Sequence, residues 1–145
     1  MRQSIGVSCV MQPIVRRLRD PMARYQFSVE VQPRYLPEQS EPDEGRYLFA
    51  YTVTIRNVGE VTAQLLSRHW IITDADGQIE EVRGAGVVGE QPVLQPGQVF
   101  QYTSGCPLGT PVGSMHGTYQ CLAEDGTAFE TTIPEFVLSA PRALH

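Results

Sequence analysis

Apolar side chains recur at every second position from residue 25 onward. Phe27, Val29 and Val31 alternate with Ser28, Glu30 and Gln32, which predicts a strand ending near Pro33, where the missing backbone N–H breaks a ladder. A longer run follows, with Phe49, Tyr51, Val53 and Ile55 pointing one way and Ala50, Thr52, Thr54 and Arg56 the other. It stops at residues 57–59, Asn-Val-Gly, and reads as a central strand. A period of two puts successive side chains on opposite faces of a sheet, whereas a helix needs a period near 3.6, which is not seen anywhere in residues 25–138.

Turn residues divide the rest of the chain. Residues 63–73, AQLLSRHWIIT, meet residues 78–83, QIEEVR, across Asp74-Ala75-Asp76-Gly77, a hairpin signal. A glycine-rich stretch at 84–89 leads to a short Val93-Leu94 segment, then through Pro96-Gly97 to a strand at 99–104. Residues 118–123 and 128–138 flank Glu124-Asp125-Gly126, and Pro134 marks a bulge or an edge position in the last strand. Residues 37–45, PEQSEPDEG, are expected to be irregular, as are 113–117, read as a surface loop, and Cys106 before Pro107. The fold class is therefore all-β: a sandwich of seven to eight antiparallel strands, of the fibronectin type III or immunoglobulin-like kind, with turns about every 8 to 12 residues.

Length and charge refine this. The chain of 145 residues suits one domain, placed at 23–145. Residues 1–22 carry four arginines and one acid, a charge of +3, against −8 for the remainder. They read as an extension: a flexible or helical tail, or the product of a start placed upstream of Met22. An acidic body repels phosphate backbones, so no nucleic-acid partner is expected. All 11 basic residues are arginine, which excludes P-loop and Schiff-base lysine chemistry. Three cysteines, Cys9, Cys106 and Cys121, have no metal-ligand spacing and fit a reducing cytoplasm, and no apolar run is long enough to span a bilayer. A cytoplasmic protein without a membrane partner is the expectation.

Candidate chemistry is sparse. Gly84, Gly86 and Gly89 satisfy GxGxxG, but a dinucleotide site needs a helix after the loop, and Pro92 and Pro96 leave no room for one. Two readings remain. The glycines either let the chain cross between sheets or pack closely, or they form a nest of backbone amides that binds an anion or a partner. Arg83, Gly84, Ala85, Gly86, Gly89 and Glu90 make up that candidate binding loop, with Arg83 supplying the charge. Trp70, the single tryptophan, is the natural core anchor. Arg68 shares its face and, if buried, needs a carboxylate or carbonyl partner, while His69 faces the other way. Acids cluster at 38–44 and 74–81 without the full spacing of a calcium loop, and Ser114 is one place off a nucleophile elbow. No catalytic residue, metal site or cofactor is assigned.

Taken together, LLSRHWIITDADG (65–77), VRGAGVVGEQPVLQPG (82–97) and FQYTSG (100–105) resemble the bacterial ApaG family, as do YLPEQSEPDEGRYLFAYTVTIRN and GTYQCLAEDGTAFETTIPEFVL. The resemblance runs from about Phe27 to Leu138 and implies a fibronectin type III-like sandwich without established enzymatic activity. Bacterial members are linked to cobalt tolerance and magnesium efflux. Similar domains in eukaryotic F-box proteins and in a DNA-polymerase-interacting protein look like interaction modules. The family's loop usually has an acid at its second place, where this chain has Ala85. The implied function is a non-catalytic binding module engaging a protein or small anionic ligand through the glycine loop. The alternative is a regulator linked to Co²⁺ or Mg²⁺ tolerance or efflux with weak direct metal binding.

Overall fold

The computed structural model describes residues 21–141, so the extension expected at 1–22 lies almost wholly outside the described residues. No α-helix occurs among the described residues. Eight strands follow one 3₁₀ turn: β1 (Phe27–Tyr35), β2 (Tyr47–Asn57), β3 (Ala63–Asp74), β4 (Ile79–Ala85), β5 (Val93–Leu94), β6 (Val99–Leu108), β7 (Val112–Ala123) and β8 (Ala128–Ser139). All their pairings are antiparallel. The alternation explains them. Phe49, Tyr51, Val53 and Ile55 are all buried, and on β7 so are Met115, Tyr119, Cys121 and Ala123. This is the fibronectin-like all-β sandwich that the pattern predicts.

One sheet has the order β1-β2-β6, and the other β4-β3-β7-β8, with β5 also paired to β3. Several expectations are corrected. Strand β1 runs two residues past Pro33, which pairs with Tyr51. A proline is tolerated there because β1 is an edge and its outer side needs no donor. Cys106 is in β6 and only 2% exposed, and residues 113–117 are in β7 with Met115 buried, so neither is a loop. The glycines of 113–117 hid the strand: Gly117 lies against the backbone of His69 and Trp70, an approach that leaves no room for a side chain. Residues 37–45 contain two short 3₁₀ turns, Pro37–Gln39 and Pro42–Glu44. Pro134 does fall where β8 slips register against β7, on an edge strand.

The glycine-rich segment does not cross between sheets. Strands β4 and β5 both pair with β3, β4 at Ser67–Thr73 and β5 at Ala63–Gln64, so residues 86–92 step along one sheet. The step sits beside a bulge in β3, where register shifts between Leu65 and Ser67. An extra residue in one strand bends it and frees a carbonyl. Here the freed group is Leu66 C=O, which accepts from Gly86 N–H at 2.7 Å and from the Gln91 side chain at 2.9 Å.

The two flanks of the sandwich differ. On one, Phe27 of β1 meets Phe129 of β8 edge to face, with centroids 5.6 Å apart. On the other, β4 and β6 border a cleft between the sheets of about 200 Å³. The core beneath it is aromatic: Trp70 stands edge-on to Tyr51, Tyr119 and Phe136. The buried hydroxyls of Tyr102 and Tyr119 hydrogen bond at 2.5 Å, which satisfies two polar atoms that burial would otherwise leave without water.

Asn57 is a second polar centre, 1% exposed at the end of β2. Its Nδ2 donates to Val61 C=O at 3.0 Å and Leu94 C=O at 2.8 Å, and its Oδ1 accepts from Gly59 N–H at 2.8 Å. Leucine, similarly branched but without polar atoms, would leave those three backbone groups without a partner, each costing about 1 to 3 kcal/mol. Asn57→Leu is therefore expected to lower unfolding stability by about 3 kcal/mol or more in urea titration, with an unchanged slope. A loss under about 1 kcal/mol would show that water replaces the side chain.

Candidate functional site

The residues from β4 to β5 converge on Arg68. This residue leaves β3 on the inner face beside Trp70, and its Nη1 donates to Ala85 C=O at 3.0 Å and Gly86 C=O at 2.8 Å. These are the carbonyl partners that a half-buried arginine requires. The guanidinium lies over Gly84: a Cβ there would stand 2.8 Å from both Nη atoms and 2.9 Å from Cζ. Gly84 is thus glycine because of the side chain above it. Its backbone φ is ordinary.

Gly86 has φ +64° and a Cβ would run into Glu90 C=O. Val87 and Glu90 exchange two backbone hydrogen bonds, of 2.8 and 2.9 Å, around Val88 and Gly89, whose φ values are +42° and +82°. Two central residues with positive φ make the type I′ turn, which favours Asn-Gly. Gly89 fits without strain. Val88 does not, because a β-branched residue with positive φ is a steric outlier. It is the one non-glycine residue with positive φ among the described residues, and it is 52% exposed.

The amides predicted to form an anion nest are largely committed. Gly86 N–H goes to Leu66 C=O, and those of Val87 and Glu90 pair with each other's carbonyls. What the loop turns toward Arg68 is carbonyl oxygen. Arg83 stands elsewhere. It pairs with His69 across the ladder, opposite in face to Arg68. There Glu81 Oε1 accepts from His69 Nε2 at 2.8 Å and Arg83 Nη2 at 3.3 Å. The His69 hydrogen bond first, and Arg83 second, hold the Glu81 carboxyl below the usual range. The charge expected from Arg83 is therefore shared with Glu81, and the cation touching the loop is Arg68. Ala85 and Glu90 are exposed, and Gly86 is buried.

Behind Arg68 opens the cleft, lined by Tyr51, Trp70, Val82, Ser104, Cys106 and Glu80 among others. Burial pushes the Cys106 thiol up to about 11, with the Glu80 charge adding to it, and burial also pushes Cys121 up to about 11. Burial raises Tyr51 as well, against the hydrogen bond from Ser104. These groups are neutral near pH 7. Part of each acidic cluster is engaged: Glu41 and Glu44 pair with Arg46, and the Asp74 carboxylate accepts the amides of Asp76 and Gln78. Among the described residues no three His, Cys, Asp or Glu side chains converge as a metal requires. No helix there is long and apolar enough to cross a membrane.

Sequence reasoning identified the loop but missed its anchor and the cleft. The signal for Arg68 was its place two residues from Trp70 on one face. No local pattern brings β6 to β4, so Ser104 and Cys106 gave no signal. Nothing in the sequence singles out Val88.

Fold and site together define a fibronectin type III-like sandwich with an arginine-anchored loop and an open cleft on one flank. Residues 37–123 match the ApaG domain. Protein ApaG of Dechloromonas aromatica is 63% identical over 122 residues, which cover 84% of this chain and 96% of that protein. Protein ApaG of Ralstonia nicotianae is 60% identical over 124 residues, covering 86% and 100%. A Bordetella pertussis crystal structure, solved under the name ApaA, superposes with a TM-score of 0.81 at 57% identity, covering 85% of this chain and 100% of that one. The chain belongs to the ApaG family.

Strain at Val88 is removable. Val88→Asn supplies a residue that tolerates positive φ and is expected to stabilise the domain by about 1 kcal/mol, raising Tm by about 3 °C in a thermal scan. A lowered Tm would mean that Val88 contributes more by packing than it costs in strain.

Proposed function

We propose that this domain is a non-catalytic binding module of the ApaG type, which engages a protein partner or small anionic ligand through the loop from Arg83 to Glu90. The observation that carries the reading is Val88, a β-branched residue strained at φ +42° and 52% exposed at the tip of the turn. Strained backbone persists where the surroundings over-determine it, and such positions cluster at binding sites and switches. Here the turn is held from both ends, by Gly86 N–H on Leu66 and by the Gln91 side chain on the same carbonyl. A rigid, apolar tip loses little entropy on binding and gains by burial. Arg83 and Glu90, both exposed, flank it with opposite charges that can fix orientation.

A binding rather than catalytic role also fits the chemistry of the flank. Both described thiols are pushed up to about 11, far from the reactive thiolate of a nucleophile. The reading carries with it a cytoplasmic setting without nucleic-acid or membrane partners.

Affinity capture from lysate tests it, comparing wild type with Val88→Asn. The variant relieves strain, so lost binding cannot be ascribed to unfolding. A protein retained by wild type and lost from the variant, with Tm unchanged or higher, supports the loop as the contact. If every retained protein also stays on Val88→Asn and on an Arg83→Glu variant, the loop is not the binding surface.

A further inference from the structure

We propose that the cleft between β4 and β6 is a second binding site, for a small ligand with an apolar body and a single anionic group that Arg68 holds. This goes beyond the loop reading, since Val88 does not line the cleft.

Shape sets the size class. The cleft is about 200 Å³, with Tyr51, Trp70, Ile72 and Met115 along it and Val82 on the β4 side. That space equals about six or seven water volumes, room for a short-chain or aromatic carboxylate and too little for a nucleotide. Its lining is divided about evenly between apolar and polar surface, so burial and hydrogen bonding both act on a small molecule there.

Charge sets the chemistry. Arg24, Arg46 and Arg83 each stand beside a carboxylate, of Glu60, Glu41 and Glu44, and Glu81 respectively. Arg68, half buried between the sheets, has no carboxylate partner among the described residues. Its Nη1 is committed to two carbonyls, which carry no full charge. A guanidinium offers five N–H donors in a planar fork that matches a carboxylate in two-point contact. Three polar groups beside it add to this. The Ser104 hydroxyl and the Tyr51 phenol line the same cleft. Trp70 is 2% exposed and lines it too, and its indole N–H has no acceptor among the described residues, an unusual state for a buried donor.

Glu80 limits the ligand to one negative charge. It faces the cleft from β4, paired with Ile72 while Arg68 pairs with Gly84, so the two charges sit four positions apart along β3. A carboxylate at that end repels a dianion and tolerates a neutral or donor group.

Trp70 is the single tryptophan of the chain and so reports on the cleft directly. Wild-type protein is titrated with hexanoate while Trp70 emission is followed, with hexanol as the neutral match. Saturable binding is expected in the millimolar range, about tenfold tighter for hexanoate than for hexanol, the ratio of a charge-assisted contact. Val82→Phe puts a larger ring into the cleft and is expected to abolish the response. Hexanol binding as tightly as hexanoate, no saturation by hexanoate, or full binding in a folded Val82→Phe protein each overturns the proposal. Should Val82→Phe unfold, the exposed Glu80→Gln change decides: hexanoate bound about two- to fourfold tighter supports the site. Unchanged or weaker binding in Glu80→Gln overturns it.

Discussion

The flank of this sandwich that bears the candidate sites depends on the guanidinium of Arg68. One nitrogen joins it to two successive carbonyls, at 3.0 and 2.8 Å, and its plane covers a residue with no side chain. Those contacts tie the end of β4 to β3 beside the bulge that interrupts the β3–β7 ladder. A charge in that position is costly unless its donors are met, and the loop carbonyls meet two of them. The glycines and the arginine therefore explain one another. Gly84 makes room for the guanidinium, and Gly86 carries the positive φ that swings its own carbonyl into reach.

The arrangement places two different surfaces close together. The loop ends in a turn whose Val88 pays in strain for an exposed apolar tip. The inner side of the same arginine looks into an aromatic cleft with Glu80 at its far end. The opposite flank shows that an opening is not inherent to the fold, since there the aromatic rings of Phe27 and Phe129 fill the gap between sheets. A cleft on one side only follows from which side chains stand at the edges. Val82, Ser104 and Gly105 on β4 and β6 are small, and no aromatic side chain from those strands plugs the gap.

How much of this was legible in the sequence varied by the range of the interaction. Period-two alternation located the strands, and the Asp74–Gly77 turn located the β3–β4 hairpin, because both are local. Strand ends were missed where glycine or proline sits inside a strand. Gly113 and Gly117 in β7 and Pro107 in β6 were read as loop signals, although close backbone contact and an edge position accommodate them. At the site, the alternation placed Arg68 with Trp70 and required a carbonyl or carboxylate for it, but could not say whose. Arg83 was preferred as the loop's cation on nearness in sequence alone. Arg83 lies two residues from Glu81 on β4, on the face opposite Arg68, and pairs with that carboxylate instead. Nothing in residues 84–89 signals that their amides are used within the chain.

Amide hydrogen exchange in an Arg68→Gln variant tests most directly whether this side chain holds the flank together. The account predicts that Gly86, Val87 and Glu90 lose protection selectively, while amides of the central strands β2 and β7 keep theirs. Unchanged protection at those three loop amides would contradict it, since the loop would then stand on its own backbone hydrogen bonds without the guanidinium.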